Sequence, residues 1–78
     1  MARYIVVIHP EAVGSIYNVS VPTLPGCYTW GETFEEAVQM AREAIAGHVA
    51  ALRDLGEAVP DDRIAPIITT VDVAAAAS

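Results

Sequence analysis

Lysine is absent from this 78-residue chain, which sets only four Arg against ten acidic residues. The resulting net charge of −6 opposes attraction to phosphate backbones and to anionic lipid. Direct nucleic-acid and membrane binding are therefore not expected, and the natural partner is a basic macromolecule. Cysteine is nearly absent too. A single Cys27 excludes an intramolecular disulfide framework and the cysteine clusters of zinc sites, so nothing calls for an oxidising compartment. No long hydrophobic run occurs near the N-terminus, where the apolar stretch before His9 is too short for a signal peptide or a membrane span, and a cytoplasmic location is the expectation. Gly-rich phosphate loops are missing, and the acidic start of the predicted helix would repel phosphate, so no cofactor is expected.

What is present is a short, apolar chain. Its length suits one domain over residues 1–78, and 54% hydrophobic against 18% charged residues is too apolar for a disordered segment. A core this small is marginal, so a dimer or higher homo-oligomer is expected to bury more apolar surface.

Tyr4 to His9 is rich in β-branched residues without polar alternation, which predicts a first strand covered on both faces, in the sheet centre or at an interface. Ile16 to Val21 alternates, with Tyr17, Val19 and Val21 on one side and Asn18 and Ser20 on the other, predicting a half-buried second strand. Pro22, Pro25 and Gly26 mark a compact turn that Leu24 tucks down. Cys27 to Trp30 then reads as a short third strand, closed by Gly31.

From Thr33 the period becomes helical, with apolar residues at 34, 37, 38, 41, 44, 45, 49, 52 and 55. Thr33 followed by Glu36 predicts a capping box, and Glu35 and Glu36 complement the helix dipole. Gly56 supplies the stop. A polar connector from Glu57 to Pro66 leads to Ile67–Val73, a β-rich run predicted as a fourth strand before a frayed alanine-rich tail. The expected fold is thus α+β in the order β-β-β-α-β: an antiparallel meander, one long helix packed on it, and a C-terminal strand returning parallel to the first.

Reactive groups are sparse. A nucleophilic thiol needs a nearby base and an electropositive setting, which an acidic chain with two His hardly offers, so Cys27 reads as a packed small residue. His9 and His48 lack the local spacing of metal ligands. The carboxylate pair Glu35–Glu36 belongs to the helix start, and Asp61–Asp62 to a solvated loop. No catalytic and no metal site is expected, and the chain does not read as an enzyme. Tyr28 and Trp30 alternate on the third strand; core or oligomer-interface packing is favoured over base stacking because no basic groove accompanies them.

The string Val19-x-Val21-Pro22-x-Leu24-Pro25-Gly26-Cys27-x-Thr29-x-Gly31-x-Thr33-x-Glu35-Glu36-Ala37, continuing through Ala41, Glu43, Ala44 and Ile45, resembles the HicB-like antitoxin family, as does Gly56-Glu57-x-x-Pro60. Together these cover about two thirds of the chain. Pro22, Pro25, Gly26, Cys27, Gly31 and Thr33 carry the structural motif. The resemblance implies a partial ribonuclease H-like fold, matching the order of elements read from the residues. It also implies a role in binding and neutralising a small basic RNA-cleaving toxin of the HicA type. The first strand holds no acidic metal ligands, so no nuclease activity is carried over. Thr23 stands where the family often has an acidic residue. Many members add a C-terminal DNA-binding domain, whereas this chain ends in alanines, so a stand-alone member without autonomous repression is expected.

The expected contacts with a partner are Leu24, Tyr28, Trp30, Glu32, Glu35 and Glu36. The competing reading is a homo-oligomeric structural domain with no toxin. An enzymatic reading would require Cys27, His9 or His48 to converge with a carboxylate in a cleft.

Overall fold

The computed structural model describes residues 2–11, 14–61 and 67–75. Three short strands, β1 (Val7–Pro10), β2 (Tyr17–Ser20) and β3 (Tyr28–Gly31), precede one helix, α1 (Phe34–Asp54). The strands form an antiparallel sheet in the order β1-β2-β3. Val19 stands opposite Ile8 on one side and Thr29 on the other, so the register carries one apolar row across the sheet toward α1.

The turn between β2 and β3 is closed by backbone bonds at every step. Leu24 donates to the Val21 carbonyl at 3.0 Å, Cys27 to that of Leu24 at 3.0 Å, and Val21 to that of Cys27 at 3.2 Å. Pro25 fixes one φ, and Gly26 takes φ 85°, a conformation an L side chain strains to adopt.

The helix begins as expected. Thr33 is extended, and its hydroxyl accepts from the Glu36 N–H at 3.0 Å. The reciprocal bond is shifted by one residue, because Glu36 accepts from the N–H of Glu32 at 3.0 Å rather than from Thr33. At the far end Gly56 has φ 72°. Its N–H donates to the Arg53 carbonyl at 3.0 Å, and that of Glu57 donates to Leu52 at 2.9 Å, the paired bonds of a Schellman stop.

Two buried clusters hold the helix on the sheet. Val19, Ala37 and Ala41 form one, flanked by Val6, Ile8 and Tyr17. Val21, Leu24 and Cys27 form the other, flanked by Tyr4, Val6, Ala44, Ile45, Val49 and Leu52. Gly31 lets the two layers meet: a Cβ there would lie 2.4 Å from the Ala37 nitrogen. The ends of the predicted apolar stripe, Phe34 and Leu55, are exposed, since they lie beyond the part of α1 that crosses the sheet.

Two expectations are corrected. The first strand is shorter, Val7–Pro10, although Tyr4, Ile5 and Val6 remain half-buried, and it is an edge of the sheet rather than its centre. Ile67–Val73 forms no strand here. It pairs with none of β1 to β3, and Ile67, Ile68, Val71 and Val73 are 92%, 70%, 78% and 83% exposed. Strand propensity needs a partner edge to become a strand, and this segment lies away from its own sheet. Asp62 and the last three residues of the tail lie outside the described residues.

Candidate partner-binding face

The helix covers only one face of the sheet. Strand alternation sends Thr29 and Gly31 toward α1 and leaves Tyr28 and Trp30 on the opposite face, 73% and 51% exposed. Register aligns Trp30 with Asn18 and His9, and Tyr28 with Ser20 and Val7, so both aromatics sit on one continuous bare surface. Asn18 donates to the Glu11 carboxylate at 2.7 Å, setting an acidic group at the margin.

Only Glu32 and Thr33 separate β3 from α1, so the acidic helix start adjoins the aromatic strand. Glu32, Glu35 and Glu36 are all exposed. Glu36 is held by its bond to Glu32 N–H, which orients one carboxylate of the three. Phe34, 53% exposed, adds a third aromatic between these acids. Sequence periodicity assigns it to the buried stripe. Its place in the first helical position, before the helix reaches the sheet, was the available signal.

Five of the six expected contact residues are therefore exposed around β3 and the helix start. Leu24 is different. Its side chain is fully buried, because it plugs the turn against Cys27 and Val21, and it has no surface to offer a partner. Tyr28 and Trp30 are not core residues of the chain.

The three residues named by the enzymatic reading lie in different parts of the fold. Cys27 is buried in the turn cluster, and desolvation pushes its thiol pKa up, away from the thiolate. His9 is on the bare sheet face, whereas His48 lies on α1 behind the sheet. Among the described residues no group of three His, Cys, Asp or Glu is placed to hold a metal ion, and no helix is long and apolar enough to cross a membrane.

Comparison with known proteins matches this arrangement. Residues 4–76 match the family model described as the HicB-like antitoxin of bacterial toxin-antitoxin systems. The UPF0150 protein Ta0767 of Thermoplasma acidophilum is 40% identical over 60 residues, covering 77% of this chain and 86% of that protein. The UPF0150 protein ssr1765 of Synechocystis is 37% identical over 60 residues, covering 77% and 75%. Among solved structures, the N-terminal domain of the Burkholderia pseudomallei antitoxin HicB superposes with a TM-score of 0.62 at 48% identity, covering 69% of this chain and 62% of that one. The longer structure of the same antitoxin gives 0.67 at 46%, covering 76% of this chain but 44% of that one. The chain thus spans less than two thirds of either HicB structure. A three-stranded sheet backed by one helix that superposes on HicB structures, with a family match over nearly the whole chain, leaves one assignment: the chain belongs to the HicB-like antitoxin family of bacterial toxin-antitoxin systems.

Proposed function

We propose that this chain acts as one HicB-like unit that neutralises a small basic RNA-cleaving toxin of the HicA type by binding it, without chemistry of its own. The observation that carries the reading is the bare face around β3, where Tyr28 and Trp30 stand exposed beside Glu32, Glu35 and Glu36. Exposed aromatics supply large contact area at low entropic cost, and they recur as the anchors of protein interfaces. The acidic rim selects a basic partner and speeds encounter, while a net charge of −6 repels RNA, the partner's substrate. Burial of Cys27 and separation of the two His support a stoichiometric rather than catalytic role.

The test is affinity capture with tagged full-length chain from its native lysate, followed by an RNA-cleavage assay on whatever small basic protein is recovered. Stoichiometric recovery, with cleavage suppressed by wild type and restored by Trp30→Ala, is the expected result. Capture of no basic protein, or equal suppression by Trp30→Ala, would defeat the proposal.

A further inference from the structure

The bare face of the sheet is ordered row by row. Its register sets Val7, Ser20 and Tyr28 in one row and His9, Asn18 and Trp30 in the next. Glu11 donates its N–H to the Ile16 carbonyl at 2.9 Å, which carries the β1–β2 pairing one row further. Alternation then puts the Glu11 side chain on the same face as His9.

The middle row is held in one orientation. Asn18 donates from Nδ2 to the Glu11 carboxylate at 2.7 Å. A carboxylate only accepts, so the amide nitrogen must be the atom turned to Glu11, and Oδ1 is left to accept from a donor outside the pair. Asn18 and Trp30 stand directly opposite each other on neighbouring strands, which sets their Cβ atoms about 5 Å apart. Trp30 is 51% exposed, so its indole is open to contact beside that oxygen. An oriented amide acceptor, the carboxylate that orients it and an uncovered aromatic ring therefore share one patch.

We propose that this patch is a guanidinium cradle: the basic partner lays an arginine over the Trp30 ring, and the arginine N–H groups donate to Asn18 Oδ1 and to the Glu11 carboxylate. The cradle rests on the reading of this face as the contact for a basic partner, and it names the chemistry that partner must present. Charge selects a cation, since Glu11 borders the row, Glu32 follows β3 directly and the whole chain carries −6. Geometry selects arginine over lysine. A guanidinium is planar and weakly hydrated, so it stacks on an aromatic ring while its edge donates several bonds at once. An ammonium is a compact, strongly hydrated point charge that gains little from a ring with acceptors at its edge. Neither Asn18 nor Glu11 stands out in the sequence, because their pairing joins residues on two strands.

The experiment titrates the isotope-labelled full chain with capped tetra-arginine, tetra-lysine and tetra-citrulline peptides. NMR follows the indole N–H of Trp30, the only tryptophan of the chain, and the side-chain amide of Asn18. Both resonances should shift with the arginine peptide, at an affinity about threefold or more above that for lysine, and neither should respond to uncharged citrulline. Nuclear Overhauser contacts should join the arginine side chain to the indole ring. Asn18 is exposed, so Asn18→Ala should keep the fold, checked by far-UV circular dichroism. It should weaken the arginine peptide about fivefold and the lysine peptide less than about twofold. Equal affinity for arginine and lysine, shifts confined to Glu32, Glu35 and Glu36, or an arginine affinity indifferent to Asn18→Ala would each overturn the cradle. The wild-type contacts decide the matter even if the variant does not fold. The peptides need no toxin: a lysate capture that yields no basic protein would defeat the toxin reading, while the peptide titration still decides this one.

Discussion

Gly31 shows how one missing side chain sets the distance between two layers. Its hypothetical Cβ would meet backbone atoms of Ala37 at 2.4 and 2.8 Å, and backbone cannot rotate aside as a side chain tip does. Gly31→Ala should therefore push α1 off β3 and cost about 1 to 3 kcal/mol, read as a lower urea midpoint. An unchanged midpoint would mean the helix yields without cost. Cys27 lies in the neighbouring cluster, where burial holds its pKa above the ordinary thiol value. The folded chain then keeps the thiol proton more tightly than the unfolded one. Its contribution is complete below the ordinary thiol pKa and is lost as pH rises through the raised folded value. Wild type should lose more stability than Cys27→Ala between neutral and alkaline pH, in urea titrations of the two; parallel decline would contradict the shift.

Among the elements, α1 is the most self-sufficient. Thr33 caps its first turn, Glu35 and Glu36 meet the positive end of its dipole, and Gly56 closes the other end in a left-handed conformation. Thr33→Ala should cost about 1 kcal/mol and lower the thermal midpoint by several degrees, measured by circular dichroism. Since Glu36 is oriented through Glu32 rather than through Thr33, that variant should leave the Glu36–Glu32 bond in place, and a change in partner affinity would show that the cap also shapes the acidic rim. The strands depend on their neighbours instead. Each is four residues long, and the segment with comparable β propensity at 67–73 stays outside the sheet, exposed and paired with none of the three strands.

At the scale of the molecule, the bare sheet face and the net charge act together. A chain of charge −6 approaching a basic partner gains from long-range attraction that salt screens over about 10 Å at 0.1 M. The association rate with such a partner, followed by stopped-flow fluorescence of Trp30, should fall steeply with ionic strength while the dissociation rate changes less. A rate indifferent to salt would remove charge from the recognition and leave the aromatics alone. The same fluorophore gives a second reading, because Trp30 is half exposed when free and an interface that covers it shifts its emission to the blue.

Local rules in the sequence determined most of this protein: the three-strand meander, the capped helix with its glycine stop, the inward row of Tyr17, Val19 and Val21, and the family string across turn and helix start. Each rests on chemistry within a few residues, where a cap, a turn glycine or a period of 2 or 3.6 is decided by neighbours along the chain. The acidic half of the candidate face was legible for the same reason, since Glu32, Glu35 and Glu36 are placed by the cap. Burial was not legible in that way. Leu24 reads both as the residue that tucks the turn down and as a partner contact, and its full enclosure keeps only the first; Phe34 reads as core and is exposed; Tyr28 and Trp30 take an uncovered face because a single helix backs only the other one. Only the tertiary structure decided these, as it decided that Ile67–Val73 stays unpaired with β1 to β3, because what covers a face depends on elements distant in sequence and on how far each of them reaches.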